Sequence, residues 1–244
     1  MSPLTVFFAV LLNVAALVFV IGVARKIRSY ARTPAPLKIP TTPAPTTTAG
    51  VGWRMAREVV FFESLFKSSK WTWIFGWTFH AALLLVLLRH ARYFQEPVWL
   101  PVVLIQPFGT YAGFAMVAGL AGLWARRWLV DRVRYISTPS DHLMLALLLG
   151  IGLTGLGMRF VSHTDIVAVK AFMLGLLRLD WQPLPTDPVL LVHLALVALL
   201  MIIFPISKLL HAPGLFFSPT RNQADNAREQ RHIAAWAGAL DKKA

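Results

Sequence analysis

The stretch "WTWIFGWTFHAALLLVLLRHARYFQEP" (71–97) decides how the chain is read. It is apolar enough for lipid, yet it carries His80 inside the run and His90 near its end. Downstream, "DPVLLVHLALVALLMIIFPISKLLHAPG" (187–214) repeats the theme, with His193 and His211 eighteen residues apart. An imidazole in hydrocarbon is costly, and buried ionisable groups in membrane spans mark functional sites by default.

The 244 residues around these runs are 57% hydrophobic and 14% charged. Soluble domains carry about a quarter charged residues. Each apolar run of about 20 residues is long enough to cross roughly 30 Å of hydrocarbon. An all-α integral membrane protein with five transmembrane helices follows. The spans are expected at Leu4–Ala24, at Trp71–Leu88, from near Phe108 after Pro107 towards Arg126, at His142–Met158 and at Pro188–Ser207. Gly and Ala crowd the third and fourth, and small residues let membrane helices approach closely.

The first span lacks a basic leader, and Arg25, Lys26, Arg28 and Arg32 follow it. A cleavable signal is therefore not expected. Nineteen of the 24 Lys and Arg fall in segments that five spans place on one side. The other side holds Arg89, Arg92, Arg159, Lys170 and Arg178. Basic loops stay inside, so the amino terminus is expected outside and the carboxy terminus in the cytoplasm, across a bacterial cytoplasmic (inner) membrane. The net charge of +13 then serves topology, not nucleic acid. The absence of cysteine removes disulfides, thiolate metal sites and covalent c-type haem.

The domain reading is a first helix with its basic inner end (1–32), a Pro/Thr-rich linker and amphipathic surface helix (33–70), a four-helix core (71–210) and a tail (211–244). The surface helix is placed over "WRMAREVVFFESLFKSSK" (53–70), on anionic lipid or under a partner. A short amphipathic helix is expected around "VAVKAFMLGLLRL" in the outer loop.

Ten residues of helix rise about 15 Å, so His80 and His90 cannot share a metal; eighteen residues make five turns, about 27 Å, on one face. The second and fifth spans run antiparallel. By depth this matches His90 with His193 on the outer side and His80 with His211 on the inner side. Each pair suits the two axial positions of a haem iron, since neutral imidazole is a good ligand. The unequal rises leave a mismatch that tilt or a kink at Pro205 would absorb. His142, beside Asp141, reads as a helix-end residue, and His232 as a tail residue facing solvent or a partner.

The two spaced histidine pairs, and "RVRYISTPSDHLMLALLLGIGLTG" (132–155) entering the fourth span, resemble the gamma subunit of respiratory nitrate reductase. That resemblance covers about residues 70–212. It implies a quinol-oxidising di-haem cytochrome b, with His90 and His193 on the outer haem and His80 and His211 on the inner. The long inner segment and the tail "HAPGLFFSPTRNQADNAREQRHIAAWA" (211–237) are similar to the DsrM-type membrane cytochrome b of the sulfite-reduction-associated Dsr complex. Membrane subunits of heterodisulfide-reductase-like complexes share the plan. The resemblance implies two haem b, a menaquinone or ubiquinone substrate and a cytoplasmic iron–sulfur subunit. It further implies a multihaem cytochrome c and a second membrane subunit. Arg89, Arg92, His163 and Lys170 are candidate contacts to quinone or haem propionates, with Arg126 and Lys208 as similar cations inside. A gamma-type subunit of another respiratory reductase, or a non-redox anchor or transporter, stays open. A transporter calls for polar mid-span residues or broken helices in repeated halves, and neither is evident.

Overall fold

The computed structural model describes residues 1–34, 39–229, 232–233 and 237–238. Lys38 of the linker and Trp236 and Lys243 of the tail lie outside the described residues. All regular structure among the described residues is helical: α1 (Pro3–Arg32), α2 (Thr48–Phe61), α3 (Glu63–Ser68), α4 (Lys70–His90), α5 (Leu100–Leu129) and α6 (Asp131–Ile136). Next come α7 (Pro139–Phe160), α8 (Ile166–Arg178), α9 (Pro188–Ile203) and the short turns α10 (His211–Gly214) and α11 (Pro219–Asn222). Five stretches are long and apolar enough to cross a membrane: α1, Lys70–Phe94, α5, α7 and Pro188–Ile206. The chain is a multi-pass membrane protein. A bilayer supplies no partners for backbone N–H and C=O groups, so each span closes its own hydrogen bonds as a helix.

Two compact units divide the chain, one of Met1–Val20 with Leu65–Ile203, the other of Ile21–Ser64 with Phe204–Ala244. In the first, α4, α5, α7 and α9 pack as successive neighbours. Glycine sets the spacing. A Cβ on Gly119 would stand 2.9 Å from the Phe75 carbonyl oxygen and 3.0 Å from Phe79 Cβ, so α5 lies against the backbone of α4. Gly109 does the same against Arg89 Cβ and the Leu85 carbonyl, and Gly152 of α7 meets Met116 and Val117 of α5. A second cluster gathers Phe8, Leu12, Phe172, Leu176, Leu190 and Leu194, tying the start of α1 to α8 and α9.

Helix α8 begins where Asp165 accepts hydrogen bonds from the Val167 and Ala168 amides, at 2.9 and 3.1 Å. It buries Val169, Phe172, Gly175 and Leu176 on one face, as the amphipathic pattern of the outer loop anticipates. Asp187 caps the start of α9 through the Val189 amide at 3.0 Å and accepts from the Thr164 and Ser162 hydroxyls.

Several boundaries differ from the sequence reading, the first being that of α1, which runs on past Ala24 to Arg32. Helix α5 starts at Leu100 and passes through Pro107. Side-chain bonds flank the proline: Thr110 Oγ1 donates to the Gln106 carbonyl at 2.8 Å, and Gln106 Nε2 donates to the Val102 carbonyl at 3.0 Å. Helix α7 starts earlier, at Pro139, behind a capping box of Thr138 and Asp141. The surface helix starts at Thr48, where Thr47 Oγ1 accepts from the Gly50 amide, and it breaks at Phe62, whose φ of 51° is left-handed. Finally, α9 ends at Ile203, and Phe204–Ile206 continues as a 3-10 turn around Pro205. A proline inside a helix removes one hydrogen bond and clashes one turn back. His193 and His211 therefore do not share one continuous helix, and the five-turn, one-face arithmetic for that pair is overturned.

In the second unit, Arg221 Nη1 donates to Glu58 Oε1 at 2.9 Å and to Ser64 Oγ at 2.6 Å, holding α11 on α2. The Asp225 amide donates to the Pro45 carbonyl at 2.9 Å, and Tyr30 packs on Phe217.

Two stability measurements follow. Gly119→Val forces α5 off the α4 backbone and is expected to cost about 1–3 kcal/mol. Gly52→Val, where nothing lies within 4 Å of the added carbon, should leave the thermal midpoint near wild type. The Thr164 hydroxyl, with backbone and Ser162 donors, holds the Asp187 carboxyl below its usual range. Asp187→Ala should lower the thermal midpoint at neutral pH, an N-cap being worth about 1 kcal/mol. Because its folded pKa is depressed, this contribution is present above the unfolded carboxylate pKa and is lost as pH falls through the folded value. The gap between wild type and variant should close in acid.

Candidate functional site

A neutral imidazole has one N–H and one lone pair, and the partner of the first decides which nitrogen offers the second. In α4, His80 Nδ1 donates to the Gly76 carbonyl at 2.7 Å, and His90 Nδ1 donates to the Val86 carbonyl at 2.7 Å. Both bonds reach back four residues, one turn of helix. His211 Nδ1 donates to the Lys208 carbonyl at 3.0 Å. A carbonyl only accepts, so in all three rings the lone pair sits on Nε2.

His193 reaches the same state by a relay. Its Nδ1 lies 2.9 Å from Thr154 Oγ1, and that hydroxyl donates its own proton to the Gly150 carbonyl at 2.7 Å. With the hydroxyl proton spent, Oγ1 accepts from Nδ1, and Nε2 again carries the lone pair. This is the arrangement ligating histidines adopt, with the distal N–H anchored to an oxygen.

His142 is the opposite case. Trp124 Nε1, which is only a donor, lies 3.0 Å from His142 Nδ1. That nitrogen is therefore the acceptor, and Nε2 carries the proton. Trp128 packs over the same ring at 4.7 Å between centroids. The helix-end role expected for His142 agrees with this cage. His232 Nε2 faces Asn226 Oδ1 at 2.9 Å in the tail.

The structure brings His90 and His193 together. Their ring centroids are 6.5 Å apart and the ring planes differ by 14°. His193 is buried, 8% exposed, and Tyr93 closes one side of His90 with an edge contact at 5.9 Å. His80 stands half-buried on α4 of the first unit, while His211 is an exposed residue of the second unit.

Of the four candidate polar contacts, two meet. Arg92 and Lys170 line one pocket of about 200 Å³ with Gln106, Val98 and Val103. Arg92 Nη1 donates to Gln106 Oε1 at 3.0 Å and its guanidinium lies 5.3 Å over the Tyr93 ring. Lys170 is ion-paired with Glu96. Arg89 lays its stem along Gly109. His163 is exposed, with a left-handed φ of 52° and Nδ1 on the Val161 carbonyl at 3.0 Å, and is not among the lining residues. At the opposite end of α5 and α7, Arg127 donates to Ser137 Oγ at 2.9 Å and lies 3.6 Å from the Asp141 carboxylate.

Sequence reasoning missed Thr154 and Gln106. Thr154 is a polar residue inside an expected span, which was a usable signal, whereas Gln106 lay ahead of the span expected from Phe108.

Among the described residues no three His, Cys, Asp or Glu side chains gather as a metal site. A planar macrocycle that supplies its own four nitrogens asks the protein for two imidazoles rather than three ligands, and His90 and His193 bring two near-parallel rings to 6.5 Å.

The model of the nitrate reductase gamma subunit family matches residues 48–222, and the chain belongs to that family. It is similar to the Hdr-like menaquinol oxidoreductase cytochrome b-like subunit of Archaeoglobus fulgidus, at 36% identity over 95% of this chain and 83% of that protein. The protein of the same description from Archaeoglobus profundus is 32% identical over 97% of this chain and 84% of its own length.

The ring tautomers are directly measurable. Nitrogen-15 spectra of apoprotein in bilayers should place the proton of His80, His90, His193 and His211 on Nδ1 and that of His142 on Nε2. Trp124→Phe should release His142 alone from this state. A proton on Nδ1 of His142 in the wild type would refute the assignment.

Proposed function

We propose that the chain is a two-haem cytochrome b subunit that carries electrons across the membrane between a quinone pool and an iron–sulfur protein on the cytoplasmic side. The observation that carries this reading is the His90–His193 pair. A haem iron held between His90 and His193 would ask for two imidazoles set further apart than ring contact. The observed 6.5 Å and near-parallel planes fit that demand. His80 and His211 are assigned to the second, inner haem on the sequence pattern and the family resemblance, and the shared Nδ1 anchoring is consistent with it.

Haem iron supplies one-electron exchange, with a potential tuned by its axial ligands. The chain supplies the rest. Thr154 fixes the His193 tautomer by accepting a hydrogen bond from Nδ1–H. Arg92, Gln106 and Lys170 offer donors at the mouth of an otherwise apolar pocket, suited to a quinone oxygen while Val98 and Val103 hold the ring. Exposed Glu96, paired with half-buried Lys170, stands where a released proton meets water. On the charge bias of the loops this end faces outward, so quinol oxidised here releases protons outside while electrons move in. The amino terminus is then outside and the carboxy terminus cytoplasmic.

The relatives' description as menaquinol oxidoreductase subunits supports menaquinol as the substrate and a multi-subunit setting. The tail resemblance supports a Dsr-type complex serving sulfur metabolism, with a multihaem cytochrome c and a second membrane subunit. Both point to the same electron path.

Redox spectra of purified protein test the reading. His90→Ala and His193→Ala should remove one low-spin haem component, and His80→Ala and His211→Ala the other. Thr154→Val should weaken retention of the His90/His193 haem by about ten-fold. A quinol-analogue inhibitor should shift only that component, and Gln106→Leu should weaken its binding about ten-fold, as loss of one buried hydrogen bond allows. A colourless protein would sink the proposal, and loss of one shared component from both His80→Ala and His90→Ala would sink the pairing.

A further inference from the structure

Helix α2 has two apolar faces, and the second unit covers only one of them. At about 100° per residue, Val51, Met55 and Glu58 share one side. Val51 is buried, and Glu58 is met by Arg221 and Ser64. On the opposite side Val59, Gly52, Ala56, Val60 and Trp53 follow one another around an arc of roughly 120°. All five are exposed, Trp53 by 65% and Val60 by 54%. Arg57 and Arg54 border this arc along one edge, with Phe61, 57% exposed, between them.

We propose that this exposed face of α2 lies in a lipid leaflet, making α2 an in-plane membrane helix whose covered face holds the carboxy-terminal segment around Arg221. Three observations select lipid as the occupant. The first is reach: eight residues separate Phe61 from Lys70, the start of a spanning helix, and eight residues extend at most about 28 Å. Helix α3 takes up six of them. The second is the pattern around the helix. A one-sided apolar arc with Trp inside it and Arg along its edge lets the ring sit at the headgroup boundary while the guanidinium groups reach water. The third is charge. Both acids between Thr48 and Lys70 are already paired, Glu58 with Arg221 and Glu63 with Arg57 at 2.7 Å. With Arg54, Arg57, Lys67 and Lys70 against these two acids, the stretch is net positive, as an anionic leaflet favours.

The consequence is that the tail is attached to a helix fixed in depth. Arg221 and Asp225 hold residues 218–225 against α2 and the linker, so this part of the tail is held at the membrane surface.

The chain has no cysteine, so single cysteines can report depth. Full-length Ala56→Cys, Val60→Cys and Ala227→Cys proteins are labelled with an environment-sensitive fluorophore. They are then reconstituted in vesicles of phosphatidylcholine and phosphatidylglycerol. A shallow nitroxide lipid should quench the probes at 56 and 60 several-fold more than the probe at 227, and aqueous iodide should show the reverse order. Iodide quenching at 56 and 60 equal to that at 227 would overturn the proposal. So would protection from both quenchers, because protein would then cover the face.

Discussion

An imidazole placed among membrane helices has one N–H to satisfy, and the choice of acceptor determines what the ring can do. On α4 the acceptor is the helix's own carbonyl one turn back. That bond uses the same geometry that builds the helix, so the ring is held without any further residue. On α9 the acceptor is a threonine on the neighbouring helix. The position of α7 beside α9 is thereby tied to the state of His193. Gly150, Gly155 and Gly157 each sit beside an α9 side chain, Leu196, His193 and Val189 in turn. Packing and ligand chemistry are thus one constraint in this part of the bundle.

Much of the architecture was legible because the spanning pattern is a bulk property. Twenty apolar residues without a charge leave few alternatives to a helix, and the five spans appear where hydropathy puts them. The meeting of His90 with His193 was legible too, because antiparallel order follows from the span count alone. Helix ends were less so, since they turn on single side chains. Pro107 stays inside α5, while Pro205 follows the end of α9 in a 3-10 turn. No periodicity distinguishes these two prolines. The break at Phe62 depends on a left-handed residue that is not glycine. The tautomers were not legible at all, because they depend on which donor or acceptor a neighbouring helix brings.

The family match and the relatives bear on class, and the rings bear on chemistry. The same family model spans α2, α4 to α9 and α11, so the surface helix and the start of the tail belong to the shared plan, as does the four-helix core. That agrees with their mutual contacts, which are polar and specific. Arg221 meets both Glu58 and Ser64, and Ser64 in turn meets Glu58, a closed triangle of side chains.

That triangle also sets an order of events in time. Glu58 and Arg221 are 163 residues apart in sequence. During synthesis α2 leaves the ribosome long before its partner exists, and chains grow at roughly 5–20 residues per second. For several seconds the Glu58 carboxylate has only water and Ser64 to satisfy it, while four later spans are being inserted. The second unit can close only when the last span is in place and Arg221 has followed it out. Closure of the second unit therefore waits on all five spans, and a chain that stops before Arg221 leaves the Glu58 carboxylate without that partner.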